Sequence, residues 1–212
     1  MSNERYFLDF AAAFVRGRRP DAPALPPAEL VEWGRGQGLK LHKFKRNAEL
    51  PRVRKVLGML RGLTPSELVD VGTGRGTFLW PLLDSFPTLS VTALDQDAVR
   101  ARDLAAVRDG GVDRLEALQA DARSLPLEPD SADVVCLLEV LEHMPHPERA
   151  AAEAVRVARR HVIASVPSKE DDNPEHIHLF DGPTLIRMFE TAGAARVSVD
   201  YVRGHIVALA RV

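Results

Sequence analysis

The stretch Leu68-Val69-Asp70-Val71-Gly72-Thr73-Gly74-Arg75-Gly76-Thr77-Phe78-Leu79 constrains the fold of this chain more than any other. An apolar, β-branched run is stopped by an acidic residue, glycines follow at alternate positions, and an apolar helix start comes next. That order predicts a buried strand, a tight turn and a helix N-terminus, the joint at which open α/β sheets place nucleotide-like ligands. Glycine is needed there because the backbone takes φ > 0 and a ligand approaches with no Cβ in the way.

The spacing narrows the ligand. A dinucleotide site uses G-x-G-x-x-G. Here the third glycine comes one residue early and Thr77 stands at the dinucleotide position, which argues against a nicotinamide oxidoreductase. An acidic strand end followed by G-x-G-x-G suits a ligand with an amino-acid tail. Asp70 can hold an ammonium, directly or through water, while the N–H groups of the turn face the carboxylate end.

The pattern on either side repeats strand and helix. Strands are expected over Leu89–Leu94, Leu115–Gln119, Ala132–Leu138 and His161–Val166, with helices after Gly76 to about Phe86, from Asp97 to Gly110, from Pro147 to Arg159 and from Thr184 to Ala192. Arg196–Val202 and His205–Ala210, one tight turn apart, read as an antiparallel hairpin. Ahead of this lies a leader. Phe7, Phe10, Ala11 and Phe14 give an amphipathic helix over Glu4–Val15, which either docks on the domain's own core or acts as a lid. A short helix from Pro27 to about Trp33 and a helix over Leu50–Leu60 follow. Lys40-Leu41-His42-Lys43-Phe44-Lys45-Arg46 is the densest basic cluster, either a solvated face or a contact for an anionic group on a substrate.

These residues resemble motif I and the following strands of the class I S-adenosylmethionine (SAM) methyltransferases. The resemblance covers about residues 50–212 and implies an α/β, Rossmann-like sheet of seven strands, mostly parallel with an antiparallel last strand, and helices on both faces. Residues 1–49 stand outside it as a helical and irregular extension. Asp95, closing the second strand, is placed to accept both ribose hydroxyls, and the resemblance puts the adenine beside Asp121 and Ala122. Cofactor contacts are thus expected from Asp70, Gly72, Thr73, Gly74, Gly76, Asp95, Gln96, Asp121, Ala122 and Leu138. Leu50-Pro51-Arg52 stands where ubiquinone-biosynthesis O-methyltransferases carry a cofactor-contacting arginine, which adds Arg52.

The fourth strand runs into Glu139-Val140-Leu141-Glu142-His143-Met144-Pro145, facing the reactive end of the cofactor. In a helical turn Glu139, Glu142 and His143 fall at i, i+3 and i+4 on one side. Such a set suits a divalent metal or an acid/base pair with an orienting partner. E-x-x-E-H also follows the fourth strand in the ubiquinone-type enzymes and in small-RNA 2′-O-methyltransferases, the latter with a downstream H-x-F that His178-Leu179-Phe180 matches. The expected metal set is Glu139, Glu142, His143 and His178, and the expected catalytic residues are His143, Glu142 and His178. His176 lies on the same loop. His42, His146, His161 and His205 have no context that raises them.

Composition sets the remaining bounds. With 28 basic against 30 acidic residues the net charge is −2, so no global field favours nucleic acid or an anionic membrane. The single Cys136, in an apolar run, excludes an internal disulfide and reads as an inert buried thiol. No segment reaches transmembrane length, and a cytoplasmic protein is expected. The implied activity is SAM-dependent methyl transfer to a small-molecule acceptor at oxygen. The alternatives are RNA 2′-O-methylation, which the charge and the absence of an RNA module disfavour, and a catalytically silent SAM-binding protein.

Overall fold

The computed structural model describes residues 7–46, 50–170 and 172–212. Three helices precede the sheet: α1 (Leu8–Arg18), α2 (Pro27–Gly36) and α3 (Pro51–Leu63). The alternating part runs β1 (Glu67–Val71), α4 (Leu79–Ser85), β2 (Ser90–Asp95), α5 (Ala98–Asp109) and β3 (Leu115–Gln119). It continues with β4 (Ala132–Leu138), α6 (Pro147–Val157), β5 (Ala158–Pro167), α7 (Gly182–Thr191), β6 (Arg196–Val202) and β7 (His205–Arg211).

The seven strands form one sheet in the order β3-β2-β1-β4-β5-β7-β6. Pairing is parallel throughout except at β7, which runs against both β5 and β6. This is the Rossmann-like sheet that the strand and helix pattern predicts. Its order reverses at β1 and β4, so the carboxyl ends of those two strands open a crevice. β4 is buried from Ala132 to Leu137, as expected of a central parallel strand covered on both faces. Cys136 lies there fully buried, and burial pushes its thiol pKa up. No described helix is long and apolar enough to cross a membrane.

Two boundaries differ from expectation. The helix after the glycine turn starts at Leu79 rather than directly after Gly76, because the turn makes an extra bend around the Trp80 indole, whose N–H donates to the Arg75 carbonyl at 3.0 Å. The helix expected to reach Arg159 ends at Val157 and passes without a loop into β5. Ala158 pairs with Ala132, and the Arg159 guanidinium reaches Asp133 (2.8 Å) and Glu67 (3.1 Å).

The leader shares the core of the sheet domain. The expected helix over Glu4–Val15 begins at Leu8, and its first residues, 4–6, lie outside the described residues. Phe10 and Phe14 join Phe44 and Trp80 in an aromatic cluster with centroid separations of 4.8–5.9 Å. Each such ring, withdrawn from water, contributes roughly 1.5–3 kcal/mol. α1 meets α5 almost backbone to backbone. A Cβ on Gly17 would sit 1.9 Å from the Ala106 carbonyl oxygen, and one on Gly110 1.8 Å from that of Ala13. Two cations of the basic cluster are paired within the chain: Lys43 with Asp103, and Arg46 with Asp84 at 2.8 Å.

Candidate active site

The glycine turn is built as its spacing requires. Gly72, Gly74 and Gly76 have φ of +71°, +62° and +80°, values that cost a residue with a side chain about 1–2 kcal/mol. The N–H groups of Gly72 and Thr73 donate to the Leu94 carbonyl (2.8 and 3.0 Å), and Thr73 Oγ1 donates to the Asp70 carbonyl (3.0 Å). The turn is therefore tied to the ends of both β1 and β2.

Beside it, at the carboxyl ends of β1 and β4, lies an open cavity with about 570 Å³ of empty space. Its wall contains six residues expected to meet the cofactor: Arg52, Asp70, Gly72, Thr73, Gly74 and Leu138, with Glu139 next to them. Asp70 is 3% exposed, and its Oδ2 has no hydrogen-bond partner among the described residues. Burial, with the nearby Asp95 charge adding to it, lifts the Asp70 pKa to about 7. A buried carboxylate is costly unless a cation completes it, and the ammonium of an amino-acid ligand would do so. The left-handed turn and the unpartnered Asp70 oxygen therefore fit the tail of SAM.

The remaining expected cofactor residues stand outside that wall. Gly76 is packed against the Trp80 ring. Asp95 is buried, and its Oδ2 accepts from the Gly74 N–H (2.7 Å) while Oδ1 accepts from that of Asp97 (2.9 Å). A carboxylate has about four acceptor sites, so one holds the glycine turn and another the start of α5. Asp97 caps α5, accepting from the N–H groups of Val99 and Arg100. Gln96 is exposed. Asp121 is clamped by Arg123 at 2.6 and 3.0 Å, with Ala122 between them half-buried.

The E-x-x-E-H segment does not form the single helical face expected of it. Glu139 has φ +59°, and only Leu141–His143 make a turn, of 3-10 type. The left-handed residue rotates Glu139 away from Glu142 and His143. Its carboxylate instead meets Ser165 Oγ (2.8 Å) and His205 Nε2 (2.9 Å), with Arg52 Nε at 3.6 Å. Burial works against this carboxylate, but His205, Arg52 and Ser165 outweigh it and hold its pKa below the usual glutamate range. His205 Nδ1 faces the Arg203 carbonyl at 3.2 Å, so both ring nitrogens lie beside acceptors, an arrangement that favours the protonated ring. The hydrogen bond to Glu139 raises its pKa against the effect of burial. Sequence reasoning passed over Ser165 and His205. Their only signal is register: β4 pairs Leu138 with Ser165, and β7, antiparallel to β5, pairs His205 with Pro167.

Glu142 and His143 gather with His176 rather than with Glu139 and His178. Donor atoms of Glu142, His143 and His176 all lie within 4.8 Å of one another. Glu142 is fully buried, and the two imidazoles stack edge-on with centroids 4.7 Å apart. The loop is pinned here because the N–H groups of Ile177 and His178 donate to the Glu142 carbonyl (2.9 and 3.3 Å). His178 stands outside that group, with Nε2 on the Met144 carbonyl at 3.1 Å and its ring beside Phe180.

Comparison with known proteins agrees with this geometry. Residues 69–165 match the family model described as a methyltransferase domain. A malonyl-[acyl-carrier protein] O-methyltransferase from Geobacter sulfurreducens is 32% identical over 50% of this chain and 40% of its own length. A ubiquinone biosynthesis O-methyltransferase from Cupriavidus pinatubonensis is 29% identical over 65% of this chain and 58% of its own. The chain thus spans about half the length of these curated relatives. The solved structure of a SAM-dependent methyltransferase from Aquifex aeolicus superposes with a TM-score of 0.62, at 23% identity, over 77% of this chain and 90% of that one. In its glycine turn, its sheet order and these likenesses, the chain is similar to the class I SAM-dependent methyltransferases.

Proposed function

We propose that the protein is a SAM-dependent methyltransferase acting on a small-molecule acceptor at oxygen, in the cytoplasm and without nucleic acid as substrate. The observation that carries this reading is the convergence of Asp70, the glycine turn and Arg52 on one cavity at the β1/β4 crevice. Asp70 would hold the ammonium of the cofactor's tail and Arg52 its carboxylate, with Asp95 beside the ribose and Asp121 towards the adenine. The O-methyltransferase relatives support oxygen as the acceptor atom.

When bound, the cofactor supplies a methyl group already activated on a sulfonium. The chain has to align the acceptor, exclude water and take a proton from a hydroxyl. His143 and His176, against the buried Glu142, are the groups placed for the proton: the carboxylate orients an imidazole and stabilises its charged form. His178, with its Nε2 on a backbone carbonyl, shapes the pocket instead. Residues 1–49 serve as a buttress of the 50–212 domain, through the α1–α5 contact. Calorimetric titration with SAM, with S-adenosylhomocysteine and with NADH tests the binding class, and a methyl-transfer screen over phenols, amines and small RNAs tests the acceptor.

A second reading has one observation in its favour. Two imidazoles and a carboxylate converging within 4.8 Å are the donor set of a divalent-metal site, and a metal there would lower the pKa of an acceptor hydroxyl. Full activity after exhaustive chelation, with no metal detected in the purified protein, excludes it. Activity lost to a chelator and regained with added Mg²⁺, Mn²⁺ or Zn²⁺ establishes it.

A further inference from the structure

Glu139 stands in the cavity wall between two cations that it engages unequally. Its oxygens are taken by Ser165 Oγ at 2.8 Å and by His205 Nε2 at 2.9 Å, while the Arg52 guanidinium stays at 3.6 Å. Arg52 makes no hydrogen bond to an oxygen among the described residues. Its one polar neighbour within that range is His205 Nε2 at 3.3 Å, which carries a proton when it serves Glu139. An arginine lining a ligand cavity with its donors unspent is poised for an anion that arrives with the ligand.

The Glu139 carboxylate is the obvious competitor for that arginine. Without a second cation, Glu139 and Arg52 would close on each other, as desolvated opposite charges do. His205 reaches Glu139 because β7 runs antiparallel beside β5 and ends its pairing at Pro167–His205. The other charged pair between α3 and the terminal hairpin, Lys55 with Asp200 at 2.6 Å, is satisfied within itself.

We propose that His205 is a positioning residue for cofactor binding: its imidazolium neutralises Glu139 and so leaves Arg52 available to the carboxylate of the cofactor's amino-acid tail. The proposal rests on the SAM reading of the cavity. It requires nothing of the Glu142, His143 and His176 group.

The test is calorimetric titration of the full chain with S-adenosylhomocysteine, which carries the same tail and cannot react. His205→Gln removes the cation at similar size and should weaken binding about tenfold, the scale of one charge-assisted hydrogen bond. Arg52→Ala should do the same, and the double variant His205→Gln/Arg52→Ala should bind no more weakly than Arg52→Ala. The decisive variant is Glu139→Gln/His205→Gln, in which the competing charge is gone. It should return to within about threefold of the wild type, a rescue that a merely structural histidine would not show. His205→Lys, which keeps the cation, should also stay within about threefold. Melting curves identify any variant that fails to fold. If His205→Gln is one, Glu139→Gln/His205→Gln and His205→Lys decide without it, and a tenfold loss in either overturns the proposal. A folded His205→Gln that binds as the wild type does, or a double variant as weak as His205→Gln, overturns it too. Wild-type binding with no loss in Arg52→Ala overturns the role of Arg52 and leaves the SAM reading standing. No binding by the wild type removes both.

Discussion

Glu139 and Glu142 are three residues apart and lie in different side-chain clusters. Glu139 lines the cavity proposed for the cofactor, where Ser165, His205 and Arg52 surround it. Glu142 is buried beside His143 and His176, the group proposed to serve the acceptor. The divider is a single left-handed residue, Glu139 itself. The contrast teaches that a sequence pattern of metal or acid/base type assigns residues to a neighbourhood. Backbone conformation then decides which of them work together.

The sharpest way to break this division is Glu142→Gln. Loss of the orienting carboxylate should lower turnover by about 10²-fold or more, the scale of general acid–base catalysis, while S-adenosylhomocysteine affinity stays within about twofold. Steady-state kinetics alongside titration would show it. An affinity loss as large as the rate loss would merge the two sites.

Asp70 tests the cofactor side through stability. Its folded-state pKa of about 7 lies above the unfolded value, so between about pH 4 and 7 the folded chain holds a proton that the unfolded chain has lost. Stability should therefore fall as pH rises through that window, by up to roughly 4 kcal/mol, and level off above it. Melting curves of the wild type should show this slope, and those of Asp70→Asn should lack it. Equal slopes in the two proteins would remove Asp70 as the buried charge of the cavity.

Asp95→Ala is expected to weaken SAM binding about tenfold or more, since each charge-assisted bond is worth about 1.5–3 kcal/mol. Part of that loss comes from the turn, because Gly74 loses its acceptor. Titration that matches the wild type would remove Asp95 from the cofactor side.

The smallest effect separates two histidines on one loop. His176→Ala should lower turnover about tenfold or more by removing a group placed for the proton, and His178→Ala should stay within about threefold. The reverse order in kinetic assays would restore His178 to the site and take His176 out of it.

Much of the fold was legible because its signals are local. The apolar run of β4, the glycines that need positive φ and the Asp97 cap each depend on neighbours in the chain. The cavity wall was legible for the same reason, since Asp70, Gly72, Thr73, Gly74 and Leu138 close or follow strands whose carboxyl ends meet at the switch of strand order. The leader's role was not. Phe10 and Phe14 announce an apolar face, but only the facing glycines, Gly17 and Gly110, show how closely α1 lies on α5, and they are far apart in the chain.

The sequence by itself determined the sheet and the turn, because strand period, glycine placement and acidic strand ends are written in consecutive residues. Only the tertiary structure decided that His205 and Ser165 hold Glu139, and that His176 rather than His178 joins Glu142 and His143. The first depends on the register of β7 against β5, across 66 residues of chain. The second depends on one positive φ and on two loop N–H groups that tie residues 177 and 178 to the Glu142 carbonyl. Neither register nor the sign of φ at a glutamate is specified by its immediate neighbours; packing sets both once the sheet has closed.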